Sequence, residues 1–130
     1  MAKNTDDQLK AIPIFSELSK KELRSVARLM TRVEVSEGRE LTKEGEIGRE
    51  FMIIVSGSAD VKKGKKKVAS LGAGDFLGEL AVLSNEPRNA TVTTTSDVTI
   101  ETLNRREFMS LLDESPKIAK KILILSLIHI

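Results

Sequence analysis

This chain predicts a mainly β protein with flanking helices, built as a jelly-roll-like β-barrel. Three observations carry that prediction. All eight glycines fall between Gly38 and Gly78. They separate apolar runs too short for helices but long enough for strands. Helix-start signatures lie on both sides of that stretch and not within it. Many short strands joined by glycine turns close into compact sandwiches or barrels.

The elements follow in order. Residues 9–30 form an N-terminal helical part. Ser19-Lys20-Lys21-Glu22 is a capping box, with Ser19 at the N-cap and Glu22 three residues on. Leu18 and Leu23 are placed to staple it, and Leu23, Val26, Ala27 and Met30 share one helical face. The β-core spans 31–104. Its runs are Val33–Val35, Glu40–Thr42, Phe51–Ser56, Ala59–Lys62, Lys67–Leu71 and Asp75–Leu77, then Ala90–Thr95 and Val98–Leu103. Phe51-Met52-Ile53-Ile54-Val55 is continuously apolar and is expected to be the most buried strand. Lys62-Lys63-Gly64-Lys65-Lys66-Lys67 reads as a solvated hairpin with Gly64 in its turn, the alternative being a docking point for an acidic partner. Asn104-Arg105-Arg106-Glu107 repeats the capping box, with Leu103 and Phe108 as staple. Ser115-Pro116 starts a second C-terminal helix, and residues 105–124 hold both. The last six residues, Leu125 to Ile130, match the translation of a transposon-based sequencing adapter. They are expected to be a non-native tail, with the native chain running on past residue 124.

Composition excludes several functions. At 130 residues and 40% hydrophobic, the chain supports one domain with one packed core. A formal net charge of +2 is too small to mark a nucleic-acid binder, and four Phe with no Tyr or Trp supply few stacking platforms. No Cys and a single His leave no disulfide, no thiolate and no His-rich metal site. Catalysis lacks a nucleophile and base, so the chain is read as no enzyme. The N-terminus has no signal-peptide core and no stretch spans a bilayer, so a cytoplasmic location is expected.

Residues 76–91 carry the chemistry: Phe-Leu-Gly-Glu-Leu-Ala-Val-Leu-Ser-Asn-Glu-Pro-Arg-Asn-Ala-Thr. Gly78 frees the backbone for close approach to an anion. Glu79, Leu80 and Ala81 can open a short helix whose free N–H groups point at it. Arg88 brings a planar fork of donors suited to phosphate oxygens and is expected to face the surface when no ligand is bound. A phosphate repels the Glu79 carboxylate, so Glu79 is left for a hydroxyl. Phosphate plus sugar hydroxyl describes a nucleotide.

This stretch resembles the phosphate-binding cassette of the cyclic nucleotide-binding domain family, through Gly78, Glu79, Leu80, Ala81, Pro87, Arg88, Ala90 and Thr91. Pro13-Ile14-Phe15 and Phe51 to Gly57 are family-like too, and the likeness runs from about Leu9 to Leu123. It implies a cyclic purine nucleotide as ligand, cAMP ahead of cGMP, and no metal. Arg88 would pair with the cyclic phosphate, N–H groups near Leu80, Ala81 and Ala90 would complete the nest, and Glu79 would accept from the ribose 2′-hydroxyl. Val68 and Leu71 would wall the base. The lid would come from residues 118–123, with Ile118 and Ile122 as its aliphatic members. Asn89 departs from the family pattern, in which Thr after the arginine goes with cGMP and Ala with cAMP. The resemblance implies a regulatory domain whose C-terminal helices move on binding. Its output stays open among a sensor acting on an effector beyond the C-terminus, the ligand-binding half of a catabolite-activator-like transcription regulator, and a degenerate domain used only in protein interaction.

Overall fold

The computed structural model describes residues 5–48, 50–78 and 87–128. Helix α1 (Thr5–Lys10) leads through a 3-10 turn (Pro13–Phe15) into α2 (Lys20–Ala27). The strands are β1 (Thr31–Val35), β2 (Glu40–Thr42), β3 (Glu50–Ser56), β4 (Ala59–Lys63), β5 (Lys66–Leu71), β6 (Phe76–Leu77), β7 (Thr91–Thr94) and β8 (Val98–Asn104). Helices α3 (Arg105–Glu114) and α4 (Pro116–Ile128) follow. The N-terminal helical part thus begins at Thr5, earlier than its expected start at residue 9.

The strands form two four-stranded antiparallel sheets, ordered β1-β8-β3-β6 and β2-β7-β4-β5. Among the described residues no ladder joins the two sheets, so the expected barrel is an open, roll-like sandwich. Between the sheets lie Met52, Ile54, Leu77, Val98 and Ile100 from the first and Ala59 and Val92 from the second. The other face of the first sheet is covered by helices. There Phe51, Ile53 and Leu103 meet Leu9, Ile14, Phe15, Leu18, Leu23, Phe108, Leu111, Ile118 and Ile122. The layers are therefore helices, sheet, sheet. Successive residues of β3 point to opposite faces, so Phe51 and Ile53 serve the helical core while Met52 and Ile54 serve the sandwich core. The Phe51 and Phe108 rings stack at 4.4 Å between centroids.

Both capping boxes form. The Glu22 amide donates to Ser19 Oγ and the Ser19 amide to Glu22 Oε1. The Glu107 amide donates to Asn104 Oδ1 and the Asn104 amide to Glu107 Oε1. Leu18, Leu23, Leu103 and Phe108, the staple residues, are all buried in the helical core. At the start of α4 the Ile118 amide donates to Ser115 Oγ at 3.3 Å.

Helix α4 is held to the N-terminal segment by more than apolar contact. Lys121 Nζ donates to the Pro13 carbonyl at 2.9 Å and to Ser16 Oγ at 3.0 Å, and Lys117 Nζ lies 3.3 Å from Glu22 Oε1. Helix α1 is tied to the first sheet by Arg32, which bridges Gln8 and Glu101.

Candidate functional site

The site is assembled where the β2–β3 connection meets the segment entering β7. Several contacts among the described residues clip the two together. Thr42 Oγ1 donates to the Ala90 carbonyl at 3.1 Å, and the Glu44 amide donates to Thr91 Oγ1 at 3.0 Å. The Gly45 amide donates to the Arg88 carbonyl at 2.9 Å, and the Arg88 amide donates to the Glu46 carbonyl at 2.7 Å. Ile47 and Pro87 form an antiparallel bridge. The backbone on both sides of Arg88 is therefore fixed by hydrogen bonds, which sets where its side chain can reach.

That side chain does not face the surface as expected. Arg88 is only 9% exposed, and its Nη2 donates to the carbonyl of Glu50 at the start of β3. Burial here comes from the connection folding over the arginine and from two glycines whose bare backbones lie against it. A Cβ placed on Gly48 would fall onto Arg88 Nε and Cζ. A Cβ on Gly78 would fall onto Arg88 Nη1 and lie 2.7 Å from the Glu50 carbonyl. Gly78 also holds a φ of 94°, a left-handed conformation that side chains other than glycine adopt at a cost. The result is a slot in which the guanidinium is seated against two bare glycine backbones. The slot fixes the plane of the fork, as bidentate recognition of a phosphate requires.

The structure brings Gly78 and Arg88 together, with the bare backbone of Gly78 leaving room for the arginine. Gly48 is a neighbour of Arg88 that sequence reasoning missed. It reads as one more turn glycine, and nothing in its spacing points to Arg88. Ala90 is buried and held by Thr42, while Asn89 is exposed. Glu79, Leu80 and Ala81 lie outside the described residues.

The four base-pocket candidates are dispersed. Val68 is 47% exposed on edge strand β5, and Leu71 is half-buried against the sandwich core. Ile118 and Ile122 are buried in the helical core, against the same cluster as Leu9 and Phe15. A cap made from them requires α4 to leave that packing. Among the described residues no group of His, Asp and Glu is placed to hold a metal ion. No helix among them is long and apolar enough to cross a membrane.

Residues 32–115 match the family model of the cyclic nucleotide-binding domain. The chain belongs to that family. This domain is 38% identical over 104 residues to the cAMP-dependent protein kinase regulatory subunit of Hypocrea atroviridis, covering 80% of this chain and 22% of that protein. It is 35% identical over 112 residues to a cyclic nucleotide-gated potassium channel of Rhizobium etli, covering 86% of this chain and 31% of the channel. The chain thus spans between about a fifth and a third of these relatives' lengths. Among solved structures, that of PKAR CBD2 bound to Sp-2Cl-cAMPS superposes with a TM-score of 0.81 and 30% identity, over 94% of this chain and 84% of that one.

Proposed function

We propose that this domain binds cAMP and acts as a regulatory sensor, with Arg88 receiving the cyclic phosphate. The observation that carries the reading is the Arg88 slot. An always-charged fork, nearly buried and oriented by Gly48, Gly78 and the Glu50 carbonyl, is a preorganised phosphate receptor in a chain of this family. Glu79 is assigned to the ribose 2′-hydroxyl on the motif alone. Exposed Asn89, next to the fork, has both a donor and an acceptor to offer the base or ribose. The role is binding rather than catalysis, in keeping with a regulatory subunit and a channel as relatives. Those two relatives regulate different outputs, so the domain is assigned the shared step. Ligand binding at the slot shifts α3 and α4, and the shift is read by an effector attached to or docked on those helices.

Calorimetric titration with cAMP tests this. The parent should bind saturably at one site. Arg88→Leu should weaken binding roughly thirtyfold to several thousandfold, equivalent to about 2–5 kcal/mol. Because Arg88 is nearly buried, a circular dichroism check accompanies the variant. Arg88→Lys keeps the charge without the fork and should fall between the two. With Glu79→Gln, the parent's preference for cAMP over 2′-deoxy-cAMP should largely disappear. A parent that ignores cAMP, or an Arg88→Leu variant that binds as tightly as the parent, overturns the reading.

A further inference from the structure

The lysine hairpin is not used by the ligand site, and its geometry is unusual. Strands β4 and β5 pair Lys62 with Lys67 and Lys63 with Lys66. Lys65 sits in the connecting turn, beside Gly64 at a φ of 61°. Like charges directly opposite on neighbouring strands are destabilising, and here two such pairs follow one another. All five lysines are exposed. Asp60 answers one of them, at 3.3 Å from Lys67 Nζ. Among the described residues no ion pair reaches Lys62, Lys63, Lys65 or Lys66.

The tip is also held rigid. The Gly64 amide donates to Glu44 Oε1 at 2.8 Å, so the turn is pinned to the β2–β3 connection. Side chains alternate across the ribbon, so the two lysine pairs point to opposite faces and Lys65 to the end. The charge therefore rings a convex tip and does not line a cleft. The chain carries +2 in all, and these five lysines alone supply +5, so the remainder is net −3. The hairpin is thus a local concentration of positive charge on a chain whose other residues are net acidic.

We propose that the β4–β5 hairpin is a docking tip for an anionic lipid surface, which it approaches end-on. A flat polyanionic surface meets both faces of the ribbon and the turn at once, whereas a peptide strand meets only one face. The hairpin carries no aromatic side chain on which a base could stack, which sets it apart from single-strand nucleic-acid binders. Relief of the lysine–lysine repulsion at the Lys63–Lys66 pair adds to binding.

Co-sedimentation with vesicles, without any nucleotide, tests this independently of the ligand assignment. Vesicles of equal parts phosphatidylserine and phosphatidylcholine should pull down the protein, and pure phosphatidylcholine should not. Each lysine near such a surface strengthens partitioning roughly fivefold. A triple variant, Lys62→Gln, Lys63→Gln and Lys66→Gln, should therefore partition on the order of a hundredfold more weakly. It leaves Lys67 with Asp60, and should melt at the parent's temperature or higher because repulsion is removed. Raised salt should release the parent. The proposal is overturned if anionic vesicles leave the parent in the supernatant, if pure phosphatidylcholine binds equally well, or if the triple variant binds like the parent. Retention by polyglutamate or duplex DNA with no vesicle binding likewise overturns it and points to a different class of partner.

Discussion

At the scale of single residues, the two glycines beside Arg88 are not equivalent. Gly48 has ordinary backbone geometry, and an added methyl there meets only the movable end of the arginine. Gly48→Ala should displace the guanidinium while leaving the fold largely intact, at a stability cost of about 1–3 kcal/mol for the overpacking. cAMP affinity should drop at least about tenfold. Gly78→Ala adds a left-handed φ and a clash with the Glu50 carbonyl, neither of which a side-chain rotation relieves. It should therefore cost distinctly more stability than Gly48→Ala. Paired melting curves and titrations of the two variants check this. Equal stability loss in both would mean that the slot yields as a whole, and an unchanged affinity in Gly48→Ala would mean that the glycine does not set the arginine's position. Sequence reading found Arg88 and Gly78 because they sit in one contiguous motif. It missed Gly48, and misjudged the burial of Arg88, because both depend on the β2–β3 connection folding over a segment distant in the chain.

Among elements, the helices were the most legible. Capping is a local matter of a few residues, so Ser19-Glu22 and Asn104-Glu107 could be read directly and recur in the structure as reciprocal hydrogen bonds. Strand runs were found within a residue or two, through their glycine and lysine boundaries. The opening of the barrel was not legible, since sheet pairing is decided by contacts between distant strands. Glu22 links two elements: it caps α2 and pairs with Lys117 of α4. Its carboxyl is held below the ordinary glutamate value, first by the Ser19 amide and then by Lys117. A depressed folded-state pKa stabilises the fold at every pH above the unfolded value, and that contribution is lost as pH falls through the lower, folded value. Glu22→Gln keeps an acceptor for the cap but removes both the charge and the titration. The parent should melt higher than Glu22→Gln at neutral pH, and the gap should close as the solution is acidified below the glutamate range. A gap that stays constant into acid would show that the Glu22 charge contributes nothing to holding α2 and α4.

For the whole molecule, one strand belongs to two interiors. Phe51 and Ile53 anchor the helical layer, while Met52 and Ile54 anchor the space between the sheets. β3 is thus a party wall, and the helical layer can loosen from one side of it without disturbing the other. Proteins open locally in cooperative units of differing stability. In amide hydrogen exchange of the unliganded domain, β3 should be protected longest, with α4 exchanging earlier and as a unit. If α4 proved as slow as β3, the two interiors would open only together. A wall of this kind also sets the cost of sending a signal. Under the proposed role, helix movement would spend the stability of one room only, leaving the sandwich assembled while the helical layer opens and closes.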